Sequence, residues 1–349
     1  MRVLHVISSM EIGGAQRLLS DLLPLLKQDG IDVSLLVLKT ENTGFTMKIL
    51  DAGVPIISLD VESFRNPLLA LKIRDIIRNY DIVHAHLVHA LYLCSIAARG
   101  LNIRLVYTEH STSNNRRGKE FMRPIEKWIY GRYEKLISIS EQTQTALQSW
   151  LQSKDKRFVV IHNGVDTKVF SSKHCKKIPY SLIMVSRFAS SKDQETVIRA
   201  MKMLHDNVII RFVGDGENLE RCKQAAKEIG VGKRVSFLGA RTDVANLVAE
   251  SLIGIQSSNW EGFGLTAVEM MAAGLPVIAT EVDGLKQVVE GAGLLFKVGD
   301  EKSLADNVNS LLGNITLYEE IAKKCRERAL QYDIIYTRQQ YARVYKSLL

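Results

Sequence analysis

The sequence predicts an α/β protein with two domains, each built on a parallel β-sheet that helices cover on both faces. Short apolar segments without polar alternation recur along the chain, which is typical of strands buried on both faces. Segments with helical periodicity separate most of them, and this alternation favours a parallel sheet. A length of 349 residues suits two cores of ordinary size, and the alternation breaks once, near residue 170.

The first half of the chain contains the first series of strands. Val3–Ser8 opens it, and a loop with Gly13 and Gly14 leads into a leucine-rich helix that begins near Ala15 and stops at Gly30. The later strands predicted in this half are Asp32–Leu38, Val54–Leu59, Ile82–His86, Ile103–Thr108, Leu136–Ile139 and Phe158–Ile161. We interpret this half as one Rossmann-like domain.

The turn-rich segment from His162 to Ser172 shows no periodicity and interrupts the alternation. Strands then resume at Ser181–Ser186, Val208–Val213, Val235–Leu238, Leu252–Gln256 and Pro276–Ala279. We therefore predict an N-terminal domain of residues 1–170 and a second Rossmann-like domain of residues 171–331. Residues 332–349 are predicted to form a helix that packs back on the N-terminal domain, because its apolar stripe requires a cover: Tyr341, Val344, Tyr345 and Leu348.

Composition and charge narrow the class of protein. With 46% hydrophobic and 24% charged residues, the chain has the make-up of a soluble globular protein, and it contains no apolar segment of membrane-spanning length. Its four cysteines lie far apart without metal-ligand spacing, which predicts reduced thiols in a cytoplasmic protein. A net charge of +8 favours acidic partners: nucleotide phosphates, anionic lipid head groups or nucleic acid.

A glycine-rich loop with two carboxylates, Asn259–Glu269, is the strongest candidate for a binding site. It follows a predicted strand and opens a predicted helix, so Gly262 and Gly264 allow a close backbone approach while the helix start offers N–H groups to a phosphate. Glu261 precedes the helix and Glu269 lies about one turn inside it, where helical side chains lean back toward the start. Carboxylates accept hydrogen bonds from hydroxyl groups, so the loop predicts a site for phosphate and sugar.

Two cations, Arg187 and Lys192, follow the first predicted strand of the second half. An arginine binds phosphate in a bidentate manner and a lysine acts as a point charge, so the pair suits a diphosphate. Combined with the Asn259–Glu269 loop, the pair predicts a nucleotide-sugar site. Ligands bind beyond the carboxyl ends of parallel strands, and two such sheets facing each other would enclose a cleft.

These motifs resemble those of glycosyltransferase family 4, which has the GT-B architecture of two Rossmann-like domains with parallel sheets facing across a cleft. The resemblance spans nearly the whole chain. Its most specific part is the Glu-x7-Glu element from Glu261 to Glu269, with its Gly-Phe-Gly-Leu interior and the following Ala272–Val277. The other matching positions are Gly13–Ala15, His110, Ser138–Glu141, Asn163–Asp166, Arg187 with Lys192, Val213–Gly216 and Phe237–Gly239.

The resemblance implies a role for the matching residues of the second half. Arg187 and Lys192 would hold the donor diphosphate and offset charge on the departing nucleotide. Glu269 would bind the ribose hydroxyls, and Glu261 would lie near the donor sugar. The remaining donor contacts would come from the base pocket near Arg241 and from the backbone of Phe263, Gly264 and Leu265. The family often has Gly where Asp193 stands and Pro where His162 stands.

In the first half, the resemblance implies that the loop with Gly13 and Gly14 approaches the donor phosphate and that His110 contacts the donor sugar near the reacting carbon. The Gly-Gly-Ala sequence of that loop lacks the dinucleotide fingerprint, which argues against NAD. His84 and His86 alternate along a strand without an identifiable third ligand, so a structural role is predicted for them. No Asp-x-Asp element follows a strand, and we expect neither a metal at the diphosphate nor another cofactor.

The reaction implied by the resemblance is that of a hexosyltransferase. A sugar would pass from a UDP- or GDP-sugar to a hydroxyl of a glycan or lipid-linked acceptor, with its anomeric configuration retained, in the synthesis of cell-surface polysaccharide or glycolipid. A sugar-nucleotide epimerase of similar fold would need additional acid or base residues at the sugar. A nucleic-acid-binding module would need stacking aromatics among its basic residues, which the sequence lacks, so no nucleic acid is expected.

A basic amphipathic segment, residues 99–135, has two interpretations: a membrane-binding surface or an ordinary core-facing helix. Residues 99–135 carry nine Arg and Lys against four Glu. The apolar residues predicted to share one helical face there are Phe121, Met122, Ile125, Trp128, Ile129 and Tyr133. Such a helix would lie on an anionic membrane, at the inner face of the cell membrane, and present a lipid-linked acceptor. A core-facing helix with a solvated basic side accounts for the pattern equally well.

Overall fold

The computed structural model describes residues 1–11, 13–64, 66–112, 116–171 and 175–349. The chain divides into two compact domains. Domain 1 consists of Met1–Gly164 and Ile334–Leu349, and domain 2 is Val165–Asp333. The first boundary lies at Gly164 rather than at residue 170, because the Val165 N–H donates to the Tyr332 carbonyl oxygen at 2.9 Å and ties the following segment to domain 2.

Domain 1 contains a parallel sheet in the order β3-β2-β1-β4-β5-β6-β7. Its strands are β1 (Arg2–Ser9), β2 (Asp32–Lys39), β3 (Ile56–Ser58), β4 (Ile82–His86), β5 (Arg104–Glu109), β6 (Lys135–Ser138) and β7 (Phe158–Val160). The helices between them are α1 (Gly14–Gln28), α2 (Gly44–Asp51), α3 (Leu69–Ile77), α4 (Leu87–Ala97), α5 (Arg123–Gly131) and α6 (Glu141–Leu151). The strand predicted over Val54–Leu59 is wrong at both ends, since only β3 pairs there.

Alternate side chains of the central strands enter two separate cores. Leu4 and Val6 of β1 belong to the core that also contains residues of α3 and α4. Val3 and Ile7 face the opposite side, where residues of α1 and of the last helix cover them. Burial on both faces explains the near-continuous apolar sequence of these strands.

Domain 2 repeats this layout with a parallel sheet in the order β10-β9-β8-β11-β12-β13. Its elements begin with α7 (Thr167–Ser171), β8 (Ser181–Val185), α8 (Gln194–Ala200), β9 (Ile209–Val213), α9 (Leu219–Glu228), β10 (Val235–Phe237) and α10 (Val244–Glu250). They continue with β11 (Ile253–Gln256), α11 (Leu265–Ala272), β12 (Val277–Thr280), α12 (Asp283–Val289), β13 (Leu294–Phe296), α13 (Glu301–Gly313) and α14 (Ile315–Leu330). Strand β13 was not predicted.

The chain ends in domain 1 with helix α15 (Ile334–Lys346). Tyr341 and Tyr345 are fully buried in the core that contains β1 and α1. At the helix surface, the Arg338 guanidinium lies 3.3 Å from the Asp29 carboxylate. The apolar stripe seen in the sequence is therefore covered by the first sheet.

The prediction that the apolar residues around helix α5 share one helical face is wrong. A 3-10 turn, Glu120–Met122, precedes the helix, and the apolar side chains divide between two faces. Met122, Ile129 and Tyr133 pack against the core. The exposed side chains, with their exposed fractions, are Phe121 (74%), Ile125 (50%) and Trp128 (51%). Residues three, four or seven positions apart lie on the same side of a helix, so this segment carries one buried and one exposed apolar stripe.

In both sheets the strand order reverses once, between β1 and β4 in domain 1 and between β8 and β11 in domain 2. Loops at the carboxyl ends of these strands are the usual ligand positions in such sheets. None of the helices in the described ranges combines the length and the apolar composition that crossing a bilayer requires.

Candidate active site

The loops that follow β8 and β11 are joined by backbone hydrogen bonds. Lys192 and Ser258 form an antiparallel bridge, and the Asp193 N–H donates to the Ser257 carbonyl oxygen at 3.2 Å. The Asn259 N–H donates to the Ser191 carbonyl oxygen at 2.9 Å. Because the two strands are parallel neighbours, their carboxyl ends bring the two predicted motifs into one site.

An ion pair between Lys192 and Glu261 lies at the centre of this site. Lys192 Nζ also lies 3.3 Å from Ser258 Oγ. Both charged side chains are largely covered, with exposed fractions of 15% for Lys192 and 21% for Glu261. The sequence predicted separate roles for the two residues, and the structure adds that each neutralises the other before a ligand arrives.

Arg187 is exposed, and the loop that carries it is fixed on both sides. The Ser186 N–H donates to the Val213 carbonyl oxygen, and the Phe188 N–H donates to the Asp215 carbonyl oxygen, both at 2.9 Å. Arg187 is thus an exposed cation on the loop after β8, which also carries Lys192. A diphosphate arriving there would meet one positive charge more than the ion pair alone supplies.

Two glycines make this fixation feasible. Gly214 and Gly216 have φ angles of 139° and 148°, outside the range that other residues adopt readily. A Cβ at Gly214 would overlap the Ser186 carbonyl, and one at Gly216 would overlap the Phe188 carbonyl. Both belong to the predicted Val213–Gly216 motif, whose function here is to let two loops pack backbone against backbone.

Helix α11 begins directly after the acidic loop. Gly264 is its N-cap, with φ at 93° in the left-handed region, and a Cβ there would lie 2.5 Å from a methyl group of Leu285. The first N–H groups of a helix have no partner within the helix. The N–H groups at the start of α11, from Leu265 onward, are therefore suited to bind an anion. Gly284, which the sequence did not single out, packs so closely that a Cβ would overlap the Glu261 carbonyl.

Phe263 and Glu269 of the acidic loop are buried, whereas Asn259 and Trp260 at its start are exposed. Phe263 is 2% exposed, and its ring meets that of Tyr332 edge to face at a centroid distance of 5.2 Å. This ring contact anchors the loop. Glu269 lies inside α11 and is buried with an exposed fraction of 6%.

Two positions beside the motifs have local roles. Asp193, where the family often has Gly, caps α8 by accepting the Thr196 N–H at 3.2 Å. Arg241 is exposed and pairs with Asp243 through hydrogen bonds of 2.8 and 2.7 Å, and this pairing holds the pKa of Asp243 below its usual range. The structure therefore does not join Arg241 to the Lys192–Glu261 pair, and its place in a base pocket stays a prediction.

In domain 1, Gly13 and Gly14 stand at the start of α1. Gly13 is the N-cap with extended backbone, and Gly14 is the first helical residue. A Cβ at Gly13 would lie 2.5 Å from Gln16 Oε1. The Gln16 amide donates to the Ser9 carbonyl oxygen at 3.2 Å and so connects the helix start to the end of β1.

His110 follows β5 and has two different ring nitrogens. Its Nε2 lies 3.1 Å from His86 Nδ1, while its Nδ1 has no hydrogen-bond partner among the described residues. Burial lowers the pKa of His110 to about 3, so the imidazole is neutral near pH 7. His110 thus has one engaged ring nitrogen and one buried ring nitrogen without a partner among the described residues.

His84 and His86 share a face with His5 of β1, a residue that the sequence did not single out. Ligand atoms of the three histidines lie within 4.8 Å of one another, close enough for a metal ion. However, all six of their ring nitrogens already have partners in His110, Thr108, Tyr345 or one another. The alternation along β4 was the sequence signal for this cluster, but pairing with β1 and α15 was not predictable from it.

The segment after His110 is tied to two buried carboxylates. Glu109 pairs with Arg117 at 2.8 Å and accepts the Tyr130 hydroxyl at 3.1 Å, while burial raises the pKa of Glu109. Glu126 of α5 is fully buried and interacts with Arg116, Tyr92 and Trp150. These contacts fix the described part of the loop on the carboxyl side of His110.

Two family models match the chain in succession. Residues 12–169 match the model described as glycosyltransferase family 4, and residues 166–330 match the model described as glycosyl transferases group 1. The two matches together cover residues 12–330, which contain every site residue that the sequence predicted.

Individual proteins and structures agree with these matches. N-acetyl-alpha-D-glucosaminyl L-malate synthase of Bacillus anthracis is 27% identical over 266 residues, or 71% of this chain and 70% of that protein. The UDP-Gal:alpha-D-GlcNAc-diphosphoundecaprenol alpha-1,3-galactosyltransferase of Escherichia coli is 23% identical, with 94% and 92% covered. The crystal structure of Anabaena HepE with UDP and glucose superposes with a TM-score of 0.88 at 23% identity, covering 99% of this chain and 100% of that one.

Proposed function

This chain belongs to glycosyltransferase family 4, and we propose that it transfers a sugar from a nucleoside-diphosphate donor to a hydroxyl group with retention of the anomeric configuration. The predicted family and the predicted GT-B fold class are confirmed. The observation that carries the proposed reaction is the joined pair of loops with Lys192, Glu261 and the exposed Arg187 at the carboxyl edge of the second sheet.

The charge balance of these residues suits departure of a nucleoside diphosphate. When the bond from the sugar to the diphosphate breaks, the electron pair stays on the phosphate oxygen and negative charge grows there. Arg187 and Lys192 would stabilise this charge, together with the N–H groups at the start of α11. Glu261, which contacts Lys192 in the structure, would accept a hydroxyl of the sugar once the diphosphate draws the lysine away.

The other proposed donor contacts, those of Glu269 and of the backbone at the start of α11, would determine which nucleoside and which sugar are bound. Glu269, buried one turn inside α11, would accept the ribose hydroxyls, because a covered carboxylate without competing water discriminates for hydroxyl donors. The backbone of Phe263, Gly264 and Leu265 would meet the sugar and phosphate. For domain 1, the donor contacts of Gly13, Gly14 and His110 stay predictions.

The acceptor proposed is a glycan or a lipid-linked glycan, in the synthesis of cell-surface polysaccharide or glycolipid. Support comes from the relative in Escherichia coli, whose name specifies a diphosphoundecaprenol-linked acceptor. No metal enters this proposal, since the cations that would face the diphosphate are side chains.

A donor panel tests the reaction class. UDP-glucose, UDP-galactose, UDP-N-acetylglucosamine and GDP-mannose are each incubated with the protein, and nucleotide release and the anomer of the freed sugar are followed by NMR before mutarotation. We expect one donor to be preferred and its sugar to appear first with the anomeric configuration of the donor. Inverted product would contradict retention, and a new nucleotide sugar without nucleotide release would indicate an epimerase.

We further propose that the exposed side of α5 lies on an anionic membrane surface. Phe121, Ile125 and Trp128 form an apolar stripe, and Lys127 lies beside them, exposed. The core does not use this stripe, because the other apolar face of the same helix is the one that packs inward. Exposed aromatic and basic side chains together suit the boundary between head groups and acyl chains.

Vesicle binding tests this surface. Replacing Lys127 with alanine should weaken binding to phosphatidylglycerol vesicles about fivefold, since one cation near an anionic surface contributes about 1 kcal/mol. The change Trp128→Ser should weaken binding to the same vesicles through lost apolar contact. Lys202→Ala and Met203→Ser, both exposed in domain 2, are the matched controls. Equal binding of the parent protein to phosphatidylglycerol and phosphatidylcholine vesicles would remove the membrane proposal.

A further inference from the structure

The Thr280 side chain, at the end of β12, continues the pairing of β11 with β12 beyond the last backbone pair. That pairing ends at Gln256 and Ala279. Further along the chain, the Ser258 N–H donates to Thr280 Oγ1 at 2.9 Å, and the Thr280 hydroxyl donates to the Ser258 carbonyl oxygen at 3.0 Å. One fully buried hydroxyl therefore satisfies both backbone polar groups of Ser258 and fixes its backbone.

On its other side, Ser258 is joined to Lys192. The two residues form the antiparallel bridge between the loops that follow β8 and β11. The next residue, Asn259, strengthens this bridge, because its side-chain amide donates to the carbonyl oxygens of Ser190 (2.9 Å) and Lys192 (3.4 Å). The backbone of Lys192 is therefore held against a residue whose own backbone Thr280 fixes.

The Lys192 ammonium contacts the same serine. Its Nζ lies 3.3 Å from Ser258 Oγ and also forms the ion pair with Glu261. The direction of both contacts is fixed by chemistry, since an ammonium has three N–H donors and no acceptor. Within the described part of the chain, these contacts occupy two of the three donors.

The two partners differ in their effect on the lysine charge. Glu261 is anionic, so it neutralises Lys192 and competes with a phosphate for it. The Ser258 hydroxyl is neutral, so it restricts the position of the ammonium and leaves the charge available. Because Ser258 is fully buried, water does not compete at this hydroxyl. A lysine side chain has many rotamers, and restricting them before a ligand arrives lowers the entropic cost of binding.

We propose that Thr280 and Ser258 are positioning residues for Lys192. Thr280 fixes Ser258, and the Ser258 hydroxyl holds the Lys192 ammonium where it would meet the departing diphosphate. Neither residue is among the site residues that the sequence predicted. The effect on sugar transfer rests on the proposed function, whereas the hold on the ammonium is a property of the protein alone.

Chemical labelling of the ligand-free protein tests the hold. Acetylation by an N-hydroxysuccinimide ester is followed at Lys192 by mass spectrometry of peptides. We expect Ser258→Ala to raise the labelling rate about two- to tenfold, the range of one hydrogen bond, because a released ammonium reaches the reagent more often. Ser257→Ala is the matched control, since Ser257 is equally buried and its hydroxyl has no partner among the described residues. Equal labelling of Lys192 in Ser258→Ala and the parent protein would overturn the proposal.

Two substitutions at Thr280 separate its hydroxyl from its shape. Thr280→Val keeps the shape but removes the hydroxyl that satisfies the Ser258 backbone, so labelling of Lys192 should rise as it does in Ser258→Ala. Thr280→Ser keeps the hydroxyl and should retain the parent rate of labelling. Equal labelling in Thr280→Val and Thr280→Ser would overturn the role assigned to the Thr280 hydroxyl.

A double-mutant cycle tests the effect on sugar transfer. Ser258→Ala alone should lower kcat with the preferred donor about two- to tenfold and change the donor KM less, because the charge that Lys192 meets grows as the bond breaks. Added to Lys192→Ala, the same change should lower kcat no further, since Ser258 acts through the lysine. An equal loss in both backgrounds would contradict a positioning role and indicate damage to the loop itself.

The outcomes separate this inference from the proposed function. Faster labelling of Lys192 in Ser258→Ala together with an unchanged kcat would support the hold and contradict its effect on transfer. Absence of turnover by the parent protein with every donor would contradict the proposed function, and the labelling rates would then decide the hold on their own.

Discussion

Replacing Arg187 or Lys192 by alanine is expected to slow sugar transfer about ten- to 150-fold. Each cation would make a charge-assisted hydrogen bond to the departing diphosphate, worth about 1.5–3 kcal/mol, and the full value reaches the rate if the bond strengthens only in the transition state. Lys192→Ala should be the slower of the two, because it also leaves the largely covered Glu261 carboxylate without its partner beside the phosphate. The measurement is kcat and kcat/KM with the preferred donor.

Matched variants isolate the effect of position. Arg221→Ala and Lys202→Ala remove the same charges from exposed sites in domain 2 and should retain the parent rate. Adding Glu261→Gln to Lys192→Ala should recover part of the loss if carboxylate repulsion contributes to it. A parent rate in either Arg187→Ala or Lys192→Ala would contradict the role assigned to that residue.

Replacing Glu126 by alanine is expected to lower the free energy of unfolding of domain 1 by about 3–5 kcal/mol. The Glu126 carboxylate is fully buried, accepts the Tyr92 hydroxyl at 2.6 Å, and interacts with Arg116 and Trp150. Its loss would remove the carboxylate that pairs with a partly covered guanidinium and that accepts hydrogen bonds from Tyr92 and Trp150. Urea unfolding, with comparison of midpoints and slopes, measures the change.

The controls for Glu126 separate burial from charge. Glu134→Ala removes a carboxylate whose pairing with Arg104 is at the surface, and it should cost at most about 1 kcal/mol. Glu126→Gln keeps the shape and one acceptor oxygen, so its loss should lie between those of the two alanine variants. Equal midpoints for Glu126→Ala and the parent protein would show that the buried network contributes nothing to domain 1.

The meeting of the two motif-bearing loops in domain 2 is what the sequence predicted best. Arg187, Lys192, Glu261 and Gly264 stand in loops directly after strands, and the carboxyl ends of neighbouring parallel strands necessarily meet at one edge. The pairing of Lys192 with Glu261 was not predicted, because it depends on the register of one loop against another. Gly284 was not predicted for the same reason: it lies close to the Glu261 backbone, and the residues around Gly284 in the sequence do not indicate this contact.

In domain 1 the sequence predicted less. His84, His86 and His110 were recognised as separate residues, and the pairing of β4 with β1 and β5 is what adds His5 and Thr108 to their face. Six apolar residues from Phe121 to Tyr133 were predicted to share one face, but only three of them pack against the core and the other three are exposed. A helix that carries apolar residues at two sets of spacings does not reveal which set is buried.

The sequence by itself determined the two parallel sheets and the family, because strand periodicity and loop motifs are local patterns, and it placed the predicted donor-site residues of domain 2 in loops and at a helix start. Tertiary structure alone decided which side chains pair with one another. Examples are Lys192 with Glu261, Arg116 with Glu126, and His5 with Tyr345. These partners are up to 340 positions apart in the chain. Only packing of strands and helices brings such residues together, and no local pattern encodes the distance between them.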